Sequence, residues 1–472
     1  MMTIQILLNT ESENFRIKNA FKKVTTCCVI LGAVSSVLGK ERIPSDYSPP
    51  EGLVPGGAFI DRILPAPLQG NLRSDVWGAQ NVLPRDVSNG IEDEEYSYWG
   101  GNIITGDDGK EHLFVCRWPE NITRNTKSGH RLWWDSTVVH AVSDSPMGPF
   151  KVIKEIGKGH NPEIYRLKDG SYLIGVMGEK AYQAASLEGP WTEIKASFQW
   201  LDKPQNNTNR TYVVREDGTV LTINKRGHVL ISENADEQFK QITPHSLYPR
   251  LNGGHLEDPV IWKDEVQYHL LVNECYGRFA LYLRSPDGIH WKWDQGKAFE
   301  YHSMRHEGGT REGWYKLERP KVRQDQYGRA THINFAAIDT IKSEDLANDI
   351  HSSKNVILPL IVPRRMVILN QEPISGETEE IKVKIFSEPG FNPITELDAS
   401  TLKFGAPETV NFGGGYQAYS STPSDTDLIV TFRGEAHGIT DQNFAAKMLG
   451  RTTEGEIMLG HAKLAEHQYK SH

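Results

Sequence analysis

The stretch Val139-His140-Ala141-Val142-Ser143-Asp144-Ser145-Pro146-Met147-Gly148-Pro149-Phe150 is an apolar strand that ends in serine, turns tightly and closes on an aromatic. The pattern returns as Gln183-Ala184-Ala185-Ser186-Leu187-Glu188-Gly189-Pro190-Trp191. A weaker copy runs from Val229-Leu230-Ile231-Ser232 to Phe239, and another reads Leu281-Tyr282-Leu283-Arg284-Ser285-Pro286-Asp287-Gly288-Ile289-His290-Trp291. The serines fall 43, 46 and 53 residues apart, the period expected of a four-stranded propeller blade.

A polar turn backed by alternating apolar residues precedes each copy. Asp108-Gly109, Asp169-Gly170 and Asp217-Gly218 stand before Leu113-Phe114-Val115, Tyr172-Leu173-Ile174 and Val220-Leu221-Thr222-Ile223. Lys263-Asp264-Glu265 and Tyr327-Gly328 play the same part further on. Asp-Gly between apolar runs is a hairpin signal because glycine accepts positive φ. An isolated hairpin cannot bury a face, so five at this spacing predict five blades.

The chain of 472 residues is too long for one average domain. Its 42 Gly, 25 Pro, 11 Trp and 17 Tyr suit an all-β protein with short strands. The reading is a five-bladed β-propeller over 50–365, then a small β-sandwich-like accessory domain over 380–472. Segment 362–378 reads as the exit from the propeller. Ile381-Lys382-Val383-Lys384-Ile385-Phe386, Leu402-Lys403-Phe404, Val410-Asn411-Phe412 and Leu428-Ile429-Val430-Thr431-Phe432 are the short strands beyond it.

At the N-terminus, Arg16, Lys18, Lys22 and Lys23 precede an apolar run over 24–38, with Gly39-Lys40 after it. This describes a secretory signal over 1–39 and a secreted or periplasmic protein. The context of Cys27 and Cys28 disfavours lipid attachment. Nothing after residue 40 has the apolar length of a transmembrane helix, so no membrane insertion is expected after cleavage. Net charge is −9, with no basic stripe beyond the N-terminus, which argues against a nucleic-acid partner. Past the leader, Cys116 and Cys275 read as buried strand residues rather than a disulfide framework.

In a propeller the innermost strands start around a central channel, so the residues before each hairpin converge. They read Tyr98-Trp99-Gly100-Gly101-Asn102, Gly159-His160-Asn161-Pro162-Glu163, Asn206-Asn207-Thr208-Asn209-Arg210-Thr211, Gly253-Gly254-His255-Leu256-Glu257-Asp258-Pro259 and Leu317-Glu318-Arg319-Pro320-Lys321. Acids beside proline at three of the five starts supply what glycoside hydrolysis needs: a proton donor for the leaving oxygen, and a base or nucleophile opposite. The plainer reading of Glu318 is an ion pair with its neighbour Arg319. Trp99 is a candidate for stacking on a sugar or for core packing. His160 and His255 are candidates for substrate contact or proton transfer, Asn102 lies at the first strand start, and Arg210 and Arg319 suit an anionic sugar.

These strand starts resemble the five-bladed propeller glycosidases of glycoside hydrolase family 43 and its relatives, including the family 117 enzymes acting on algal oligosaccharides. The resemblance spans roughly residues 55 to 360. That group carries Asp-Pro for the base, Ala-Pro-Asp for a pKa-tuning acid and Glu-x-Pro for the general acid. Asn161-Pro162-Glu163 is similar to the second, Glu257-Asp258-Pro259 and Glu318-Arg319-Pro320 to the third, and Asp258-Pro259 also to the first. The resemblance thus implies Glu163, Glu257, Asp258 and Glu318 as catalytic acids on an oligosaccharide or polysaccharide. The first blade departs from it, with Gly101-Asn102 where the base belongs. Ser74-Asp75-Val76-Trp77, Arg85-Asp86-Val87 or a histidine is an alternative source of that base. Asn273-Glu274-Cys275 superficially resembles a fructan-hydrolase motif but reads as a strand end away from the channel mouth. Some relatives hold a divalent ion, such as structural Ca2+, in the channel; no ligand spacing here argues for one, and no cofactor is expected.

The expectation is an exo-acting, inverting glycosidase on plant or algal oligosaccharides. The competing readings are a non-catalytic carbohydrate-binding propeller, which the missing first-blade acid favours, and a lyase or phosphorylase on the same scaffold.

Overall fold

A computed structural model describes residues 43–206, 208–233 and 238–465. The expected leader lies outside these residues, as does Asn207. Among the described residues no helix is long and apolar enough to cross a membrane.

Five antiparallel sheets follow one another along the chain. Their innermost strands are Tyr96–Thr105, Glu163–Arg166, Thr211–Val214, Leu256–Lys263 and Lys316–Gln324. Each pairs with the next strand through one of the five turns read from the sequence. The serines of the repeat close or follow the third strands of blades one to four: Thr137–Ser143, Lys180–Ala184, Val229–Ser232 and Phe279–Ser285. These are the five predicted blades.

Two blades depart from four plain strands. Blade three gains Ser197–Gln199, which runs parallel to Gln238–Gln241. Blade five has three strands, the last being Ser353–Pro359. Its open edge is met by chain from before blade one: Ile91 bridges Asn355, Ile63 bridges Leu360, and Asn89 exchanges hydrogen bonds with the backbone of Ile357. The segment ahead of the first blade thereby joins the last one, which fastens the ring and leaves less free edge.

The C-terminal β domain is present, and its seven strands close on themselves as a barrel. Arg364–Ile368, inside the segment read as a linker, is one of them and runs parallel to Ile457–Lys463. Alternation explains the closure. Ile381, Val383 and Ile385 point inward with Val430 and Phe432 to form a separate core, while Lys382 and Lys384 point out. The barrel is pinned to the propeller by charge: Arg365 grips Glu265 at 2.6 Å, and Lys292 reaches Glu408 at 2.7 Å.

Candidate active site

The five inner strands share one local device. Each carries, within or just before its first half, a residue at positive φ: Gly100 (63°), Asn161 (53°), Asn209 (52°), Asp258 (58°) and Arg319 (52°). Strand pairing slips there in blades one, four and five. An extra residue at such a bulge bends the strand and re-aims a side chain. Proline follows in three of the five blades, at the one place where a missing N–H does no harm to the ladder. Backbone strain of this kind gathers at functional sites.

Four of these residues are tied to one another around the axis. Asn161 Nδ2 donates to Asn209 Oδ1 at 3.0 Å, and Asn209 Nδ2 donates to Asp258 Oδ1 at 2.6 Å. Arg319 Nη1 donates to the same oxygen at 2.9 Å. Blade one contributes only Gly100, where a Cβ would stand 3.3 Å from Asn161 Oδ1 and 4.0 Å from Arg319 Nε. Asn161 Oδ1 and the Nε and Nη2 of Arg319 are buried without a partner among the described residues. They leave hydrogen-bonding capacity beside the glycine.

Toward the strand starts lie Glu257, Asp258 and Glu318. The side chain of Glu257 is 17% exposed, and those of Asp258 and Glu318 are 3%. Lys225 pairs with Glu257, whose Oε2 also lies 3.3 Å from His255 Nε2, and Cys275 Sγ donates to Oε1 at 3.2 Å. Lys316 and Lys342 both pair with Glu318. The local pair of Glu318 with Arg319 is not formed, because the bulge turns Arg319 to Asp258.

These surroundings divide the proton affinities. Burial works to raise all three carboxyls. At Glu318 the two lysines outweigh it and hold the pKa down at about 2. At Glu257, His255 and Lys225 lower it still further. At Asp258 burial prevails over Arg319, the charges of Glu257 and Glu318 add to it, and the pKa is raised.

Beyond the ring, toward the hairpins, opens a second space. A cavity of about 1280 Å³ is lined by Asn102, Glu163, Tyr212, Lys321, Arg323 and Glu388, among others. Glu163 sits at this end. It is paired with Lys321 and accepts from Thr211 Oγ1 at 2.9 Å and Tyr212 N at 3.1 Å. The four sequence-derived acids therefore divide: three stand together at the strand starts, and one is locked in a structural network toward the hairpins.

Several expected substrate contacts are also structural. Trp99 is 2% exposed, with His130 against its ring edge-on and Lys342 Nζ 4.6 Å from its centre, so it offers no free face to a sugar. Asn102 bridges blades one and two through the backbone of Ile164. Arg210 is buried and donates to the carbonyls of Val176 and Gly178 and to the Tyr212 hydroxyl. His160 is held by Ser136 Oγ at 2.9 Å and packs beside Trp118 and Trp133, and burial depresses its pKa far below the usual range. His255, by contrast, faces Glu257.

Sequence reading missed Lys225, Lys316 and Lys342, whose common signal is only their nearness to acids in space. It also set Asn273-Glu274-Cys275 away from the mouth. Glu274 caps the loop by accepting from His255 N and Gly277 N, and this brings Cys275 onto Glu257. Ligand atoms of Glu257, Asp258 and Cys275 lie within 4.8 Å of one another. They do not suit a divalent ion: Lys225 and Arg319 already occupy the carboxylates, and burial, with the nearby carboxylates, keeps the proton on the Cys275 thiol.

No protein-family model and no curated protein matches the sequence. Part of the chain is similar to solved structures at low identity. A family 117 glycoside hydrolase from the marine bacterium Zobellia galactanivorans matches at 12% identity, 58% of this chain, 88% of that chain and a TM-score of 0.44. The catalytic domain of a family 62 α-L-arabinofuranosidase from Coprinopsis cinerea matches at 10% identity, 58% and 94% coverage and a TM-score of 0.39. A family 43 enzyme from Xanthomonas citri matches at 10% identity, 58% and 90% coverage and a TM-score of 0.35.

Proposed function

We propose that this chain is a glycoside hydrolase that cuts a terminal sugar from an oligosaccharide at the strand-start end of its propeller channel. The observation that carries the reading is the cluster of Glu257, Asp258 and Glu318, whose proton affinities are driven in opposite directions by their surroundings. Carboxyls divided in this way take separate roles in glycoside hydrolysis.

Glu257, the most exposed of the three and kept ionised by Lys225 and His255, acts as the base that takes up a proton. Asp258 stands behind it as the carboxyl that holds a proton, with one oxygen within 4.8 Å of a Glu257 oxygen. That spacing is short of the roughly 6.5–9.5 Å between carboxyls that an attacking water requires, so Asp258 tunes Glu257 rather than opposing it. Glu318, kept ionised by its two lysines, is a fixed ion-paired group beside them. The ring of Asn161, Asn209, Asp258 and Arg319 forms a floor, which supports action on a chain end over passage of a chain through the channel. Plant and algal oligosaccharides are the proposed substrates, and secretion through the basic, apolar N-terminus is part of the same proposal.

A screen of aryl glycosides and of plant and marine oligosaccharides tests this, with product analysis for free sugar. Release of a monosaccharide by the wild-type protein and its loss in Glu257→Gln is the expected result. The bare Gly100-Gly101 start of blade one favours one second reading, a carbohydrate-binding propeller; saccharide binding with no product from any substrate would establish it. Unsaturated sugars or sugar phosphates among the products would mark a lyase or phosphorylase.

A further inference from the structure

The second strand of each blade returns to the strand-start end, so its connection to the third strand borders the mouth of the channel. In blades two, three and four this connection is short, residues 176–179, 224–228 and 275–278. In blade one it runs over 120–136 and includes the helical turn Gly129–Asp135, and in blade five it runs over 339–352. These two long loops belong to neighbouring blades, and they touch. A Cβ on Gly129 would stand 2.1 Å from the carbonyl oxygen of Asp345, and His130 Nδ1 lies 3.2 Å from the hydroxyl of Ser353, where the last strand begins. Lys342 of the blade-five loop pairs with Glu318, which sets the two loops against the acid cluster.

Both loops carry large apolar side chains into solvent. Ile341, Leu346 and Ile350 are exposed on the blade-five loop, and Trp134 is 65% exposed on that of blade one. Trp134 lies nearly flat on Trp133, with ring centres 3.8 Å apart and planes at 24°. Trp133 in turn sits 4.7 Å from the ring of His160, which Ser136 Oγ holds at 2.9 Å. His160 directly precedes Asn161 of the axial ring, so the stack begins at the channel wall and ends in solvent. Trp133 covers one face of Trp134, and Lys127 Nζ lies beside the ring at 5.8 Å from its centre. The apolar area of an indole stabilises only when something covers it. A tryptophan standing this far out gains little from shielding its neighbour alone.

We propose that Trp134, backed by Trp133 and His160, is the platform for the sugars that follow the one being cut, and that it gives oligosaccharides a preference over single-sugar glycosides. This rests on the glycosidase reading above. The floor formed by Asn161, Asn209, Asp258 and Arg319 leaves the rest of a bound chain to run out over the mouth, where the loops of blades one and five stand. The C–H face of a sugar ring is apolar and weakly positive, and it meets the negative face of an indole. Trp99 does not serve, because it is buried against His130 and Lys342. A platform away from the reacting bond binds ground state and transition state alike, so its loss acts on KM and not on kcat.

Kinetics on aryl monosaccharides and on arabino-, xylo- and galacto-oligosaccharides of increasing length test the proposal, with calorimetric titration of the same oligosaccharides. In Trp134→Ala we expect KM for the oligosaccharides to rise several-fold, with kcat and the aryl monosaccharide unchanged, and Trp134→Phe to recover most of the loss. Turnover with the same KM in wild type and Trp134→Ala at every length overturns the platform and leaves the hydrolase reading standing. A lower kcat on the aryl monosaccharide also overturns it, because Trp134 then acts on the acid cluster and not on the chain. Where no substrate is turned over, the hydrolase reading fails and the titrations decide: oligosaccharide binding that weakens several-fold in Trp134→Ala supports the platform. Binding that is equal in both proteins, or absent from both, overturns it.

Discussion

The two ends of the channel carry acids of the same kind in different company. At the hairpin end, Glu163 is enclosed by Lys321, Thr211 and the backbone of Tyr212, all fixed on inner strands. At the strand-start end, Glu257 and Glu318 are balanced by lysines that reach in from outside the inner-strand ring or from its rim. Lys225 and Lys342 keep side-chain exposures of 22% and 38%. The Glu163 pair is enclosed on both sides, whereas the ammonium groups facing Glu257 and Glu318 keep contact with solvent. A cavity of about 1280 Å³ lies at the Glu163 end.

That contrast can be broken most forcefully at Glu257. Glu257→Gln keeps the shape and removes the proton exchange, and kcat/KM for an aryl glycoside should fall by roughly 10²–10⁴, with an unchanged circular dichroism spectrum. Near-normal turnover would move the chemistry elsewhere. Next comes Lys321→Met, which strands Glu163 without its counter-charge. Breaking such a buried pair costs about 3–5 kcal/mol, to be read from urea unfolding. The protein that remains folded should keep its kcat; equal loss of both would erase the distinction between the two ends.

A smaller effect concerns acid. Between about pH 4.3, the ordinary glutamate value, and the pKa of about 2 held by Lys342 and Lys316, the unfolded chain binds a proton at Glu318 that the folded chain refuses. Stability from this group is thus complete above that window and lost as pH falls through it. Lys342→Met raises the folded pKa, narrows the window and moves the acid-unfolding midpoint to higher pH. An unmoved midpoint would show that Lys316 alone suffices. The smallest expected change is at Trp134, 65% exposed and stacked on Trp133, which in turn packs against His160. Trp134→Ala should leave stability within ~0.5 kcal/mol. If the ring carries part of an oligosaccharide, KM for longer substrates should rise by the several-fold that a stacking contact of about 1 kcal/mol provides, with aryl monosaccharides unaffected.

Much of the propeller was legible because its signals are local. Asp108-Gly109 or Asp169-Gly170 between apolar runs specifies a hairpin wherever it occurs, the five turns count the blades, and Ser143, Ser186, Ser232 and Ser285 give their period. Arg364–Ile368 was passed over for the converse reason: Val362-Pro363-Arg364-Arg365 is polar and proline-bearing, and it is a strand because Gly460 and His461 pair with its start and Val383, Lys384 and Ile385 with its end. Trp99 illustrates the limit at the site. Its glycine neighbours suit an exposed platform, yet the bulge at Gly100 and Gly101 leaves it inside, against His130.

Hydrophobic alternation and turn chemistry act over a few residues, so the linear chain alone determined the blade count, the hairpins and the acids at the strand starts. Which acid meets which cation depends on residues as far apart as Glu163 and Lys321, or Asp258 and Arg319. Only ring closure brings these into range, and the proton affinity of a buried carboxyl is set by what surrounds it in space. The tertiary structure therefore decided that Glu257, Asp258 and Glu318 stand together and that Glu163 stands apart.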